Sequence, residues 1–202
     1  MRPAKWLVLL GILSLIVLLA TPFIGIQTIT PGALWSADPS SMDAKIFWHL
    51  RVPRTIMAFL VGSALALSGL TFQAMFSNPL ATPYTLGVAG GAALGAAMYI
   101  RIGVFFSLLG ISGQTFCAFA GAVATILLVH GLSRLRQSFS MTAVLLAGVA
   151  ISFFCSSLIL FIQYISGFTH LFQITRWLMG ELAVTGFSAL RELGPVALCG
   201  AA

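Results

Sequence analysis

Charge is scarce in this sequence. Of its 202 residues only 7% are charged, while 59% are hydrophobic, and the mean hydropathy is +1.07. A soluble domain carries about 25% charged residues, so this chain lacks the polar surface that water requires. Apolar runs of about 20 residues mark helices that cross a bilayer, and several occur here. The composition therefore predicts an all-α, polytopic helical bundle in a membrane.

Clusters of metal-ligating or catalytic residues are also missing from the sequence. Cys117, Cys155 and Cys199 lie in apolar segments, with neither a disulfide framework nor paired metal spacing. The three histidines are far apart and lack ligand-like spacing. We therefore expect no metal, no cofactor and no catalytic residue, and a membrane-embedded enzyme is the least favoured class.

The basic residues are few and dispersed. The net charge is +6, yet the lysines and arginines lie one or two at a time at the ends of apolar runs. Nucleic acid would need them clustered, so it is not an expected partner. This placement is typical of loop charges on a protein whose partner is membrane lipid.

The apolar runs predict the membrane spans. We place five complete spans near residues 6–26, 54–76, 86–103, 114–131 and 142–166. Glycine and alanine dominate the third predicted span, so its hydropathy signal is the weakest of the five. MDAKIFWHL (42–50) is expected to form a short interfacial helix, and another short helix is expected around Trp177.

A further apolar run begins at 190 and has room for only half a span. Ten helical residues rise about 15 Å, against a hydrocarbon core of about 30 Å. We expect this run to be the start of a sixth span. Residues 1–202 are then expected to be the N-terminal portion of a single, longer transmembrane domain of permease size.

The distribution of basic residues predicts the orientation. Arg2 and Lys5 precede the first span, and no basic residue follows it until Lys45, so the N-terminus is expected in the cytoplasm. Counting crossings then places Arg51 and Arg54 outside. Six basic residues fall outside by this count against four inside. Membrane anchoring explains such an excess, and so does an acidic partner on the outer side.

Ionisable residues are absent from the spans away from their ends. Proton and ion pumps need such groups at membrane depth. Their absence argues against the chain being half of an ion-coupled secondary transporter. That function stays open as an alternative to the one that the motifs below indicate.

Small residues mark helix-packing faces. Gly62, Ala66, Gly69 and Gln73 share one face of the second span, where Gln73 is either an interhelical hydrogen-bonding group or a pathway-lining group. Gly91 and Gly95 form a GxxxG pattern in the third span, which predicts close helix packing.

The corner MFSNPLATPYTLGV joins the second and third spans. Asn78-Pro79 is expected to end the second span, because the residue before proline disfavours the helical conformation and proline lacks an N–H. Pro83 repeats the break before the glycine-rich helix. The corner is therefore predicted to be a structured turn.

Several motifs together resemble one known family. IFWHLRVPRTIMAFLVGSALALSGLTFQAMFSNPLATPYTLGVAGGAALGA is similar to the iron-siderophore and cobalamin permease family of bacterial ABC importers. VLLAGVAIS and TRWLMGEL resemble the same family in the same order. The resemblance runs from about Ile46 to Ala189 and rests on RxPR, NPLA, LAGVA and WxMG in combination.

The resemblance implies a ten-span subunit of the bacterial inner membrane that carries ferric siderophore, cobalamin, haem or a related chelate. It implies a second permease subunit, two cytoplasmic ATPase subunits and a periplasmic substrate-binding protein. Arg51 and Arg54 match the arginines that meet glutamates of that binding protein. Asn78 and Leu80 match a cytoplasmic gate. Met141 and Thr142 match a second gate segment, from which this chain departs because relatives carry small polar residues there.

Overall fold

The computed structural model describes residues 3–25, 42–104, 106–108, 111–134, 141–180, 182 and 186–187, and the chain divides into two units. The first unit comprises residues 1–65 and 182–202, and the second comprises residues 66–181. The prediction of a single domain for 1–202 stays a prediction.

The first unit contains two helical stretches. Helix α1 spans Pro3–Ala20 and ends in a 3-10 turn, Thr21–Phe23. The second stretch begins with α2 (Met42–Ile46), widens into a π-helical segment (Phe47–Arg51) and continues as α3 (Val52–Phe76), which runs on into the second unit. The interfacial helix expected at 42–50 is therefore continuous with the second span.

The second unit holds the remaining helices. They are α4 (Val88–Ile102), α5 (Gly113–Arg134), α6 (Met141–Tyr164) and α7 (Phe168–Met179). Between α4 and α5, strands β1 (Ser107–Leu108) and β2 (Ile111–Ser112) pair antiparallel, with Ser107 opposite Ser112. Helix α7 is the short helix expected around Trp177. The run from residue 190 lies outside the described residues.

Four of the described helical stretches are long and apolar enough to cross a bilayer, Lys5–Phe23, Met42–Phe76, Gly113–Ser133 and Thr142–Tyr164. Their large side chains are widely exposed, for example Leu7 at 71% and Leu146 at 70%. Apolar exposure on this scale suits lipid as the surrounding solvent. The predicted all-α polytopic membrane bundle is confirmed.

The third predicted span is shorter than expected. Helix α4 has 15 residues, which rise about 22 Å, less than a hydrocarbon core of about 30 Å. Non-helical backbone within a membrane is tolerated where it is packed against protein. The turn Tyr84–Gly87 directly before α4 is packed against protein, with Leu86 and Gly87 buried. The number of spans stays a prediction.

Helices α4 and α5 cross in close contact because each carries glycine where the other approaches. A Cβ built on Gly91 would clash with Thr125 and lie 2.5 Å from the Gly121 carbonyl oxygen. A Cβ on Gly95 would overlap the carbonyl of Cys117. The Thr125 hydroxyl is satisfied within its own helix, since it donates to the Gly121 carbonyl at 3.0 Å.

Helices α4, α6 and α7 form an apolar cluster. Ala97, Ile100, Ile159 and Ile174 are its buried members, and Ile174 is only 1% exposed. A second cluster joins the corner to α5 and α6 through Leu86, Val129, Val144, Ile151 and Cys155. The clusters fix α4 between its neighbours.

The crossing gives a prediction with a control on the same helix. A Cβ on Gly121 would overlap the Gly91 carbonyl, whereas a Cβ on Gly131 has nothing within 4 Å among the described residues. We expect Gly121→Ala to lower the unfolding free energy of the permease in detergent by about 1–3 kcal/mol through overpacking. Gly131→Ala should be neutral or slightly stabilising because alanine is the better helix former. Equal thermal unfolding of the two variants would contradict the crossing.

Candidate functional site

The motif RVPR lies where the helix changes its hydrogen-bonding pattern, and Pro53 explains the change. In an α-helix the carbonyl of His49 would accept from the N–H of residue 53, which proline lacks. The helix widens here, and the N–H of Val52 bonds to the carbonyl of Phe47 five residues back. The backbone N–H of Gly186 donates to the His49 carbonyl at 2.7 Å.

Arg51 ends this widened turn and contacts the segment that follows α1. Its Nη1 donates to the carbonyl oxygen of Pro22 at 3.1 Å. A Cβ built on Gly25 would lie 2.7 Å from Nη2 and 2.9 Å from Cζ of the same guanidinium. The side chain is only half-exposed. Arg51 is thus held against residues 21–25, called here the exit segment.

An aromatic contact joins the same two stretches. The rings of Phe23 and Phe47 lie 5.2 Å apart between centroids, and Phe47 is 5% exposed. Trp48 meets the Phe47 ring edge-on at 5.4 Å. The exit segment and the π-helical turn therefore form one packed junction, and the Arg51 guanidinium contacts the exit segment at Pro22.

Arg54 differs from Arg51. It lies in the first turn of α3, is exposed, and makes no hydrogen bond or ion pair within the part of the chain that the structure describes. The sequence predicted the same role for both arginines, but the structure places them in different environments. No local sequence signal indicates this difference, because the Arg51 contact joins residues 29 positions apart.

The corner after α3 begins with a Schellman motif. The N–H of Ser77 bonds to the carbonyl of Ala74, and the N–H of Asn78 bonds to the carbonyl of Gln73 at 3.2 Å. Ser77 occupies the left-handed position (φ 46°) that glycine usually fills. The expected end of the second span before Pro79 is confirmed, since α3 stops at Phe76.

Side chains then fix the shape of the corner. Asn78 Oδ1 accepts the N–H of Leu80 at 2.9 Å, and the Asn78 carbonyl accepts the N–H of Ala81 at 3.1 Å. Thr82 and Thr85 exchange hydrogen bonds, each hydroxyl accepting the other's N–H at 3.2 and 3.0 Å. Ala81 is fully buried, but Leu80 is 76% exposed. The corner therefore presents Leu80 outward on a hydrogen-bonded turn.

The corner packs on α6 through Gly148, the glycine of LAGVA. A Cβ on Gly148 would lie 2.6 Å from the carbonyl oxygen of Thr85 and 2.7 Å from Cα of Leu86. A Cβ on Gly87, whose φ is 78°, would lie 2.8 Å from the Gly148 carbonyl oxygen. Two motifs about 60 residues apart in sequence are thus in backbone contact. Sequence reasoning gave neither Gly87 nor Gly148 a role, although glycine within an apolar helix was the available signal.

The other predicted gate and packing residues lie in different surroundings. Thr142 is exposed in the first turn of α6, which begins at Met141, and Gln73 is exposed on α3. A Cβ built on Gly62 or Gly69 meets nothing within 4 Å among the described residues. Gly91 and Gly95 lie in the crossing with α5. The packing role of Gly62 and Gly69 stays a prediction.

The fold defines the class of protein: a polytopic helical membrane protein with structured turns at helix ends. Residues 9–202 match the FecCD transport family. The chain belongs to this family.

Relatives with assigned roles narrow the comparison. The chain is 39% identical over 183 residues to the vitamin B12 import system permease protein BtuC of Escherichia coli (strain UMN026), covering 87% of this chain and 52% of the relative. It is 38% identical over 186 residues to BtuC of Citrobacter koseri, covering 89% and 52%. The chain spans about half the length of these relatives.

A solved structure has the same fold. It is described as an inward-facing conformation of a metal-chelate type ABC transporter, and it matches with a TM-score of 0.78 at 30% identity. The match covers 97% of this chain and 59% of that structure's chain.

The Asn78 side chain gives a prediction about the corner. Asn78→Ala removes the acceptor of the Leu80 N–H, and one such bond contributes about 1 kcal/mol. We expect amide hydrogen exchange of the peptide containing Leu80 to accelerate about five-fold, if exchange follows local opening of the turn. Asn78→Asp keeps an oxygen in the same place and should exchange like the parent. Unchanged exchange in Asn78→Ala would show that this hydrogen bond does not hold the turn.

Proposed function

We propose that this chain forms part of the permease subunit of an ABC importer for metal chelates, such as cobalamin, ferric siderophore or haem. The observation that carries the proposal is the family match over residues 9–202, with relatives named as vitamin B12 import permeases. The structural match to a metal-chelate type ABC transporter supports the same substrate class. The protein lies in the bacterial inner membrane with its N-terminus in the cytoplasm.

The chain performs no bond chemistry in this proposal, and ATP hydrolysis belongs to separate cytoplasmic ATPase subunits. A second permease subunit completes the pathway, and a periplasmic substrate-binding protein delivers the chelate. Transport needs two states of the pathway, one open outward and one open inward. Docking of the binding protein and binding of nucleotide change the populations of these states.

The corner and the start of α6 form the cytoplasmic gate, near the dimer axis. Asn78 sets the turn and Leu80 projects from it, 76% exposed. Thr142 and Met141 belong to the second gate segment, and Gln73 lines the approach. The backbone contact of Gly148 with Thr85 and Leu86 supports this assignment, because it packs the corner directly against α6.

Arg51 and Arg54 form the docking site for the binding protein. Arginine is always charged and offers a planar fork of N–H donors, which suits carboxylates on a partner. Arg54 is exposed and Arg51 half-exposed, so both charges are accessible to a docked protein.

The docking site gives the test of this function. We expect Arg51→Glu with Arg54→Glu, made in the complete permease, to weaken binding-protein docking by on the order of a few kcal/mol. Membrane insertion should be unaffected, and the salt dependence of docking should fall or change sign, because two attractive charge pairs become repulsive. The measurement is binding-protein affinity for the importer in nanodiscs at low and high salt.

Two controls accompany that test. Glutamate-to-arginine changes at the matching positions of the binding protein should restore part of the affinity. Docking and ATP-dependent uptake that survive the double reversal unchanged would leave the two arginines as membrane anchors only.

Topology can be tested with two cysteines at opposite ends of α3. Leu80→Cys follows its C-terminal end and should react with membrane-impermeant maleimide only from the cytoplasmic side. Arg54→Cys, in its first turn, should react only from the periplasmic side. Both side chains replaced are exposed, so access to reagent should depend on sidedness. Labelling of Leu80→Cys from outside would reverse the proposed orientation.

A further inference from the structure

The exit segment after α1 contacts the Arg51 guanidinium at two places. The Pro22 carbonyl oxygen accepts from Nη1 at 3.1 Å. The backbone of Gly25 passes so close that a Cβ there would lie 2.7 Å from Nη2. Only a residue without a side chain leaves the guanidinium in this position.

Electrostatics favours the same placement. The last carbonyls of a helix have no partner within it and carry partial negative charge, so a cation near them is stabilised. Pro22 follows the C-terminal end of α1, and no basic residue lies in the last turn of that helix. Arg51, from the neighbouring helical stretch, supplies the positive charge there.

Holding the guanidinium in place has a consequence for docking. A long side chain that is already ordered loses less rotamer freedom when a partner binds it. Arg54 has no such support within the described residues, as an exposed side chain in the first turn of α3. The two arginines therefore meet a partner in different ways, one already oriented and one not.

We propose that Gly25 and Pro22 position Arg51 for the carboxylate of the docking protein, so that the exit segment of the first span belongs to the docking site. The inference rests on the proposed function. It assigns the exit segment a positioning role that the distribution of charges in the sequence does not predict.

The test is a double-mutant cycle in the complete importer, in which Gly25→Ala moves the guanidinium without removing its charge and Arg51→Ala removes it. Gly25→Ala adds one methyl group at a residue whose φ is not in the left-handed region. We expect it to weaken binding-protein docking about three- to ten-fold, in the lower part of the range for coupled neighbours. In an Arg51→Ala background the same change should have no effect, because no guanidinium is left to displace.

Gly11→Ala, also in the first span, is the matched control, since nothing lies within 4 Å of a Cβ there among the described residues. It should leave docking at the parent value. Arg51→Lys provides a second readout that keeps the charge. We expect Gly25→Ala to change docking less in this background, because lysine has no planar fork to be aligned.

The outcomes separate this inference from the proposed function. Docking that weakens in Arg51→Ala but not in Gly25→Ala overturns the positioning role and keeps the docking site. An equal loss from Gly25→Ala with and without Arg51 also overturns it, because the effect would then be structural. If neither Arg51→Ala nor Arg54→Ala changes docking, the docking function itself fails.

Discussion

Pairing of backbone N–H and C=O groups is the constraint on which this structure depends. In lipid no water is available to satisfy an unpaired group, and each one costs several kcal/mol. Helices solve the problem along the spans, and every departure from regular helix needs a substitute partner. Pro53 removes the donor for the His49 carbonyl, and Gly186 supplies one at 2.7 Å. At the corner, Asn78, Thr82 and Thr85 supply theirs from side chains.

Glycine is the second element of the same design. Where two backbones approach, a side chain would prevent contact, so the crossing of α4 and α5 uses Gly91, Gly95 and Gly121. The contact between corner and α6 uses Gly87 and Gly148 in the same way. In a membrane, helix association depends on such close packing because lipid tails are as apolar as the side chains. The positions of the glycines therefore determine which elements pack in close backbone contact.

The two arginines show how local structure differentiates identical residues. Arg51 is anchored on the Pro22 carbonyl at the end of a π-helical turn, while Arg54 is exposed one turn further on. The proline between them causes the change of helical pattern that separates their environments. RxPR is thus a structural device as well as a pair of charges.

Much of the fold followed from the sequence. Hydropathy placed α1, α5 and α6 within a few residues, because length and apolarity are properties of single segments. The family resemblance, too, came from ordered motifs alone. One boundary was less accurate. The helix beginning at Met42 continues through Pro53, because a π-turn accommodates the proline.

Contacts between segments that are distant in sequence were determined only by the tertiary structure. Nothing in the residues near Gly148 shows that they meet Thr85, and nothing near Arg51 shows that Pro22 accepts its hydrogen bond. For Gly62 and Gly69 the sequence pattern predicted helix packing, but no described residue packs against either glycine. Hydropathy measures how a segment partitions into lipid, and that is local. Which glycine meets which backbone depends on how helices cross, and this was fixed only when the chain folded.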